Sequence, residues 1–313
     1  MLYEVGIYLY KVRSVEVRNL ATMLFKDDGV SIITCSNVWV HNMDIFYGST
    51  GSDSDQAKGD GSLDLKDNSK NLTLSYVHFW DAGKMSLCGM KSESGENYIT
   101  YHHNWFDHSD SRHPRVRTMT VHVYNNYYDG VSKYGVGATM GSNIFVENNY
   151  YYNTSKPMMI SKQGTDALGD GTFSGEAGGM IKSYGNKFVF DNSAIEAVFS
   201  YITHLDNPTS FDAYEASSRD EVVPSTYTTL SGGTAYSNFD TASTFYEYNV
   251  ETPDQARNTV IKYAGRLEGG DFSWDFSDPS EDAYYGVNTE YKNALIAYTP
   301  TLVSIQAYTK DEE

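Results

Sequence analysis

Between residues 15 and 188 one pattern recurs: two apolar residues two apart, an Asn or apolar residue three further on, then an aromatic or large apolar residue two beyond. It reads Val38-Val40-Met43-Ile45, Leu72-Leu74-Val77-Phe79, Ile99-Tyr101-Asn104-Phe106, Val121-Val123-Asn126-Tyr128 and Ile144-Val146-Asn149-Tyr151. Weaker copies are Ile181-Ser183-Asn186-Phe188 and Val15-Val17-Leu20. The first members lie 23, 34, 27, 22, 23 and 37 residues apart. A constant minimum with a variable excess describes one structural unit into which loops are inserted. Alternation with period two buries one face of a strand, and the step of three marks a bend. Units that each hide one face must stack on one another. The pattern therefore predicts an all-β chain, a right-handed parallel β-helix with coils about 4.8 Å apart. A β-sandwich with Asn-rich turns would not keep the phase.

Asn104, Asn126, Asn149 and Asn186 share one phase. An inward Asn there is expected to adopt the left-handed bend itself and to pass amide hydrogen bonds from coil to coil. The coils run from about residue 3 to 195, and from about 196 to 313 the repeat dissolves into Tyr-, Ser-, Thr- and Asp-rich sequence. We expect one β-helix domain whose C-terminal tail folds back to cover the last coil, because an open solenoid end is an exposed sheet edge. The tail carries one clear helix signal at 252–270. Thr252 is its N-cap, Pro253 the first helical residue, Gln255 the capping-box partner and Gly269-Gly270 the stop, with Ala256, Val260, Ala264 and Leu267 as its apolar stripe.

Charge narrows the function. Against 23 basic residues stand 41 acidic ones, a formal net charge of -18, which excludes a nucleic-acid partner because phosphate binding needs a basic face. No stretch approaches the roughly 20 apolar residues of a membrane span, and the first residues read as strand without the pattern of a signal peptide. Cys35 and Cys88 form no disulfide scaffold or zinc pattern and are expected to be buried thiols.

Within a solenoid, residues at equal offset from the marker lie on the same side of successive coils. Asp28 precedes its marker by ten residues, Asp60 and Asp64 by twelve and eight, Arg112 and Arg117 by nine and four. Lys84 lies fifteen before Ile99, with the loop at 92–97 to absorb the difference. Three carboxylates and three cations thus gather on one flank. In SLDLK, Leu63 and Leu65 point inward, and Asp64 is expected to be exposed beside Ser62 and Lys66. Convergent carboxylates suit a hard cation such as Ca²⁺, although acidic chains also carry solvated aspartates without one. DHSDSRHPRVR at 107–117 stands out as a basic loop in an acidic chain, and its arginines could equally pair with Asp107 and Asp110.

NVWVHN, DGSLDLK, SGENYITYHHNWFDHSDSRHPRVR and VHVYNNYYDG resemble, in order and spacing, the pectate lyases of polysaccharide lyase family 1. The resemblance is close over about 14–195 and includes the helix at 252–270. It implies a calcium-dependent pectate lyase that cleaves α-1,4-polygalacturonate by β-elimination to 4,5-unsaturated products. Carried over by motif position, Asp28, Asp60 and Asp64 become Ca²⁺ ligands, Lys84 and Arg117 bind substrate carboxylate, and Arg112 is the catalytic base. Arg115 is a supporting charge at the substrate, and His113 is placed to touch it. A guanidinium keeps its proton to beyond pH 12, so neighbouring cations would have to lower it, and activity is expected to rise towards about pH 9 and to vanish in chelator. The resemblance also implies secretion or a periplasmic location.

Two other readings stand beside this one. A pectin lyase shares the fold and needs no calcium, and a non-catalytic carbohydrate-binding β-helix would bind without cleaving. A glycoside hydrolase would need paired acids, and its GHG motif is absent. The tyrosines at 127–128 and 150–152 read as coil stacking, and His102-His103 as a structural pair. The resemblance implies several coils and a capping helix before the position of Asp28, where only about one coil is expected here. An uncapped first coil is expected to pair with other copies through residues near 3–20, giving a homodimer or aggregation.

Overall fold

The computed structural model describes residues 1–51, 56–168, 173–270 and 272–299, so the end of the expected tail, 300–313, lies outside the described residues. Three parallel sheets of eight, seven and eight strands wrap one hydrophobic interior as a right-handed β-helix. The repeat's first members form one continuous rung: Val15, Val38, Leu72, Ile99, Val121, Ile144 and Ile181 pair in register across one sheet. Its last members, Ile45, Phe79, Phe106, Tyr128, Tyr151 and Phe188, do the same across a second. We call these the marker sheet and the aromatic sheet. Rings stack down the interior of the latter, with Tyr128 and Tyr151 4.1 Å apart between centroids.

The buried Asn ladder runs as expected. Asn104 Nδ2 donates to Asn126 Oδ1 at 2.9 Å, Asn126 to Asn149 at 3.0 Å, and Asn149 to Asn186 at 2.9 Å. The bend itself differs from expectation. Positive φ falls one residue earlier, at Tyr76, His103, Asn125, Asn148 and Gly185, so the preceding residue takes the left-handed bend and the ladder Asn is left to aim its amide along the stack.

The third sheet, which the repeat does not mark, holds Ile7–Tyr10, Val30–Ile33, Leu63–Lys66, Leu87–Cys88, Arg115–Arg117, Val136–Thr139 and Met158–Ile160. We call it the cleft sheet. It lies between the insertions that make the spacing irregular, and its outward side chains carry the charged groups.

The tail does two jobs. Tyr214–Glu215 adds to the marker sheet beyond Met180–Tyr184, while Phe211, Val223, Tyr236 and Phe239 close the hydrophobic interior over the last coil. The chain then turns back along the aromatic sheet. Helix Pro253–Tyr263 starts with the expected capping box but ends six residues before the expected Gly269 stop. Ala256 and Val260 are buried, Val260 against Tyr127 and Tyr150, whereas Leu267 is 47% exposed. The reason is local: Gly265, at φ +87, lies so close to the sheet that a Cβ would sit 2.7 Å from Asp44 Oδ1. Helical geometry gives way there to docking, with Arg266 Nε on Asp44 at 2.7 Å. A second tail helix, Thr289–Ala297, capped by Asn288, packs Tyr291 and Leu295 against Tyr47 and Leu24, and the repeat gave no sign of it. No helix among the described residues is long and apolar enough to cross a membrane.

Candidate active site

Register on the cleft sheet converts sequence offsets into columns. Ser31 pairs with Asp64, and Leu65 and Cys88 with Val116, so Asp64, Leu87 and Arg115 share one outward column. Ile33 pairs with Lys66, and Arg117 lies two residues past Arg115, in the column of Lys66. Just upstream, Gly61, Lys84 and Ser111 bridge one another in parallel, which seats Lys84 between Asp60 and Arg112. With coils about 4.8 Å apart, the charged groups span three or four coils of a single face.

Asp27, Asp28 and Asp60 bring carboxylate oxygens within 4.8 Å of one another, an all-oxygen group of the kind a hard cation takes. Asp28 and Asp60 were expected there; Asp27 was not, although it is the neighbour of Asp28. Asp64 lies beside Asp28 but outside this group. Its Oδ1 accepts from the Leu87 N–H at 2.9 Å, and its Oδ2 is 3.3 Å from Lys66 Nζ. Lys66 also reaches Asp28 at 2.5 Å. The expectation that Asp64 is exposed is corrected: it is on the outer face, yet only 4% accessible, because neighbouring strands and Lys66 cover it. Burial, and the charge of Asp28, push its carboxyl up to about 6 against the pull of Lys66, the Leu87 N–H and Arg112.

The cations lie on the same face. Lys84 Nζ is 3.5 Å from Asp60. Lys84, Arg112 and Arg115 line one cleft of about 640 Å³, together with Lys133, Lys156 and the rings of Tyr134, Phe173 and Tyr285. Arg112 holds a left-handed backbone at φ 68, and its carbonyl accepts from Ser86 N, fixing the base of its side chain between two coils. Burial lowers the Arg115 guanidinium from its usual value, and the charges of Arg117 and Arg112 add to that. Arg117 points to an unexpected partner: its Nε donates to Glu176 Oε2 at 3.0 Å, and Arg115 Nη2 donates to the same oxygen at 3.1 Å.

One expected contact fails. His113 is fully buried and turned inward, Nδ1 against the Tyr134 carbonyl and Nε2 against Ser109 Oγ, both at 2.7 Å. With no exposed surface and both ring nitrogens taken up inside, it does not reach a substrate in the cleft, and the same burial pushes its imidazole down to about 3. It fixes the turn that carries Arg112. Of the residues missed, Asp27 and Lys66 stand next to or inside quoted motifs. Glu176 comes from a Gly-rich insertion at no repeated phase, which leaves no signal. Both cysteines are buried and free, and burial raises the Cys88 thiol.

A separate cluster lies under the tail. Asp107, His108 and Asp129 also come within 4.8 Å, on the aromatic sheet away from the cleft. Asp107 takes His78 and His108 at 2.7 and 2.5 Å, His108 Nε2 is 3.2 Å from Asp282 of the tail, and Asp129 accepts from Trp105 Nε1 at 3.2 Å.

The pectate lyase family model matches residues 10–267. A pectate trisaccharide-lyase of Bacillus licheniformis is 32% identical over 165 residues, 50% of this chain and 47% of that protein. Pectate lyase A of Emericella nidulans is 31% identical over 167 residues, covering 51% of this chain and 50% of its own. The chain thus spans about half the length of the curated relatives it matches. Among solved structures, a pectate lyase of Bacillus sp. N165 in complex with trigalacturonate has a TM-score of 0.55 at 22% identity, covering 84% of this chain and 71% of that one. Pectate lyase C of Erwinia chrysanthemi, at pH 9.5 with 30 mM Ca²⁺, has a TM-score of 0.58 at 21% identity, covering 84% and 68%.

Proposed function

The chain belongs to the pectate lyase family, and from that premise we propose that it cleaves α-1,4-polygalacturonate by calcium-dependent β-elimination, leaving 4,5-unsaturated ends. One observation carries the reading: a three-carboxylate group and the cations Lys84, Arg112, Arg115 and Arg117 lie in register along one face of the coil stack. An acidic polymer repels an acidic protein unless cations stand between them, and this face supplies them.

Lys84 and Arg117 bind uronate carboxylates through charge-assisted hydrogen bonds and so fix the sugar ring over Arg112. Arg112 takes the proton from C5. The C–H electron pair becomes the C4=C5 double bond, the C4–O bond breaks, and the departing oxygen is protonated from water. Positive charge from Lys84, Arg115 and Arg117 stabilises the enolate-like charge that develops on the carboxylate. Asp27, Asp28 and Asp60 would hold the Ca²⁺, which supplies neutralisation of the substrate carboxylate. That retained oxygen-donor group favours the pectate over the pectin lyase reading. A polymer of this size is met only outside the cytoplasm, so we place the protein there.

The test is release of unsaturated ends from polygalacturonate, followed by absorbance with and without chelator, beside Arg112→Ala. We expect chelator to abolish the rate and Arg112→Ala to lower kcat by about 10²–10⁴ with an unchanged melting temperature. Binding without unsaturated product would support the non-catalytic reading instead, and activity indifferent to chelator would remove calcium from the proposal.

A further inference from the structure

Glu176 lies where the arginines of the cleft would meet a uronate. Arg117 and Arg115 converge on its Oε2, and Lys91 Nζ lies 3.2 Å from its Oε1, so one carboxylate satisfies three cations. The main chain around it is fixed. Ser161 Oγ donates to the Glu176 carbonyl at 2.8 Å, the Glu176 N–H donates to Ser174 Oγ at 3.1 Å, and the Met140 N–H donates to the next carbonyl, Ala177. The carboxylate is therefore presented to the arginines by a pinned backbone and a side chain that is 15% exposed. Burial would raise its carboxyl; the hydrogen bonds of Arg117 and Lys91, with the charges of Arg117 and Arg115, outweigh this and hold it below its usual range.

An arginine that is to bind a substrate carboxylate has to release this one first. The exchange replaces one carboxylate by another, so it keeps the guanidinium groups aligned and desolvated but removes much of the net gain on binding. A methyl-esterified unit brings no charge and cannot make the exchange. We propose that Glu176 is a built-in competitor for the uronate carboxylate at Arg115 and Arg117, and that it blunts the preference for charged over esterified galacturonate units, because only a charged unit meets the cost of displacing it. The inference rests on the reading of the cleft as a site for a uronate polymer.

Glu176→Gln keeps the shape and removes the charge. We expect KM for polygalacturonate to fall about three- to tenfold with kcat within about twofold, and the kcat/KM preference for polygalacturonate over highly methyl-esterified pectin to grow at least about threefold. Calorimetric titration with trigalacturonate and with its methyl ester reads the same change without turnover, so the inference is tested even if the wild-type chain releases no unsaturated ends. That result alone would sink the lyase reading. An unchanged or raised KM, a fall in kcat alone, or an unchanged acid-to-ester affinity ratio would overturn the competitor role and leave Glu176 a positioning residue. If Glu176→Gln does not fold, Glu176→Asp draws the charge back by one methylene and should move KM and the ratio in the same direction by less, with the same overturning results.

Discussion

Gly61 shows why the DGSLDLK run needs its glycine. A Cβ there would stand 2.6 Å from Asp64 Oδ1 and 2.8 Å from Cγ, and that carboxylate cannot retreat because the Leu87 N–H and Lys66 hold it. Gly61→Ala is expected to cost about 1–3 kcal/mol, a fall of roughly 2–8 °C in melting temperature, and to weaken cation binding at the adjacent Asp60. A melting temperature within about 1 °C of wild type, by calorimetry, would mean that Asp64 shifts freely. Alternation in SLDLK was legible and correct for Leu63 and Leu65, both fully buried. It misled for Asp64, because a period-two pattern tells which face a side chain takes and nothing about what later coils lay over that face. Glu176 lies at the other extreme: 59 residues separate it from Arg117, and only the folded insertion brings them to 3.0 Å.

At the scale of elements, the returning tail is stapled to the aromatic sheet by His108, held between Asp107 and Asp282, with the Asp129 carboxylate buried beside them on Trp105 Nε1. Burial, then the charge of Asp107, pushes the Asp129 carboxyl up to about 7. The folded chain thus holds a proton there that the unfolded chain releases near the ordinary carboxylate value of about 4, and the associated stability, present below that value, is lost as pH rises to about 7. His108 acts in the same sense. Burial would lower it, but hydrogen bonds to Asp107 and Asp282 raise it well above its usual value, and its contribution fades as pH climbs through that raised value. Asp129→Asn, which keeps an oxygen for the Trp105 N–H, is expected to melt about 2–4 °C higher than wild type at pH 8, with the difference shrinking as pH falls and gone below about pH 4. A lower melting temperature at pH 8 would show that the carboxylate's charge stabilises the staple. The start of helix Pro253–Tyr263 was legible because capping is local; its end was not, because Gly265 answers to Asp44, more than 200 residues away.

For the whole molecule, the two ends of the stack differ. The last coil is closed by the tail, whereas the first coil leaves the outer edges of Leu2–Tyr3, Ile7–Tyr10 and Arg13–Arg18 without a partner strand among the described residues. Tyr8 and Tyr10 are 64% and 49% exposed there. Light scattering on a polypeptide of this sequence should report more than one chain per particle, and a monodisperse monomer would count against edge pairing. What could be read from residues alone was whatever repeats: the coil period, two of the three sheets, the Asn ladder, and the flank that collects Asp28, Asp60, Lys84, Arg112 and Arg117. Stacking makes equal phase equal position, so linear spacing already encodes that geometry. The inward turn of His113, the cover over Asp64, the place of Asp27 in the carboxylate group and the grip of Glu176 on the arginines came only with the folded chain. Each depends on insertions and a tail that carry no period, and there long-range contact and desolvation, rather than local pattern, choose the partner.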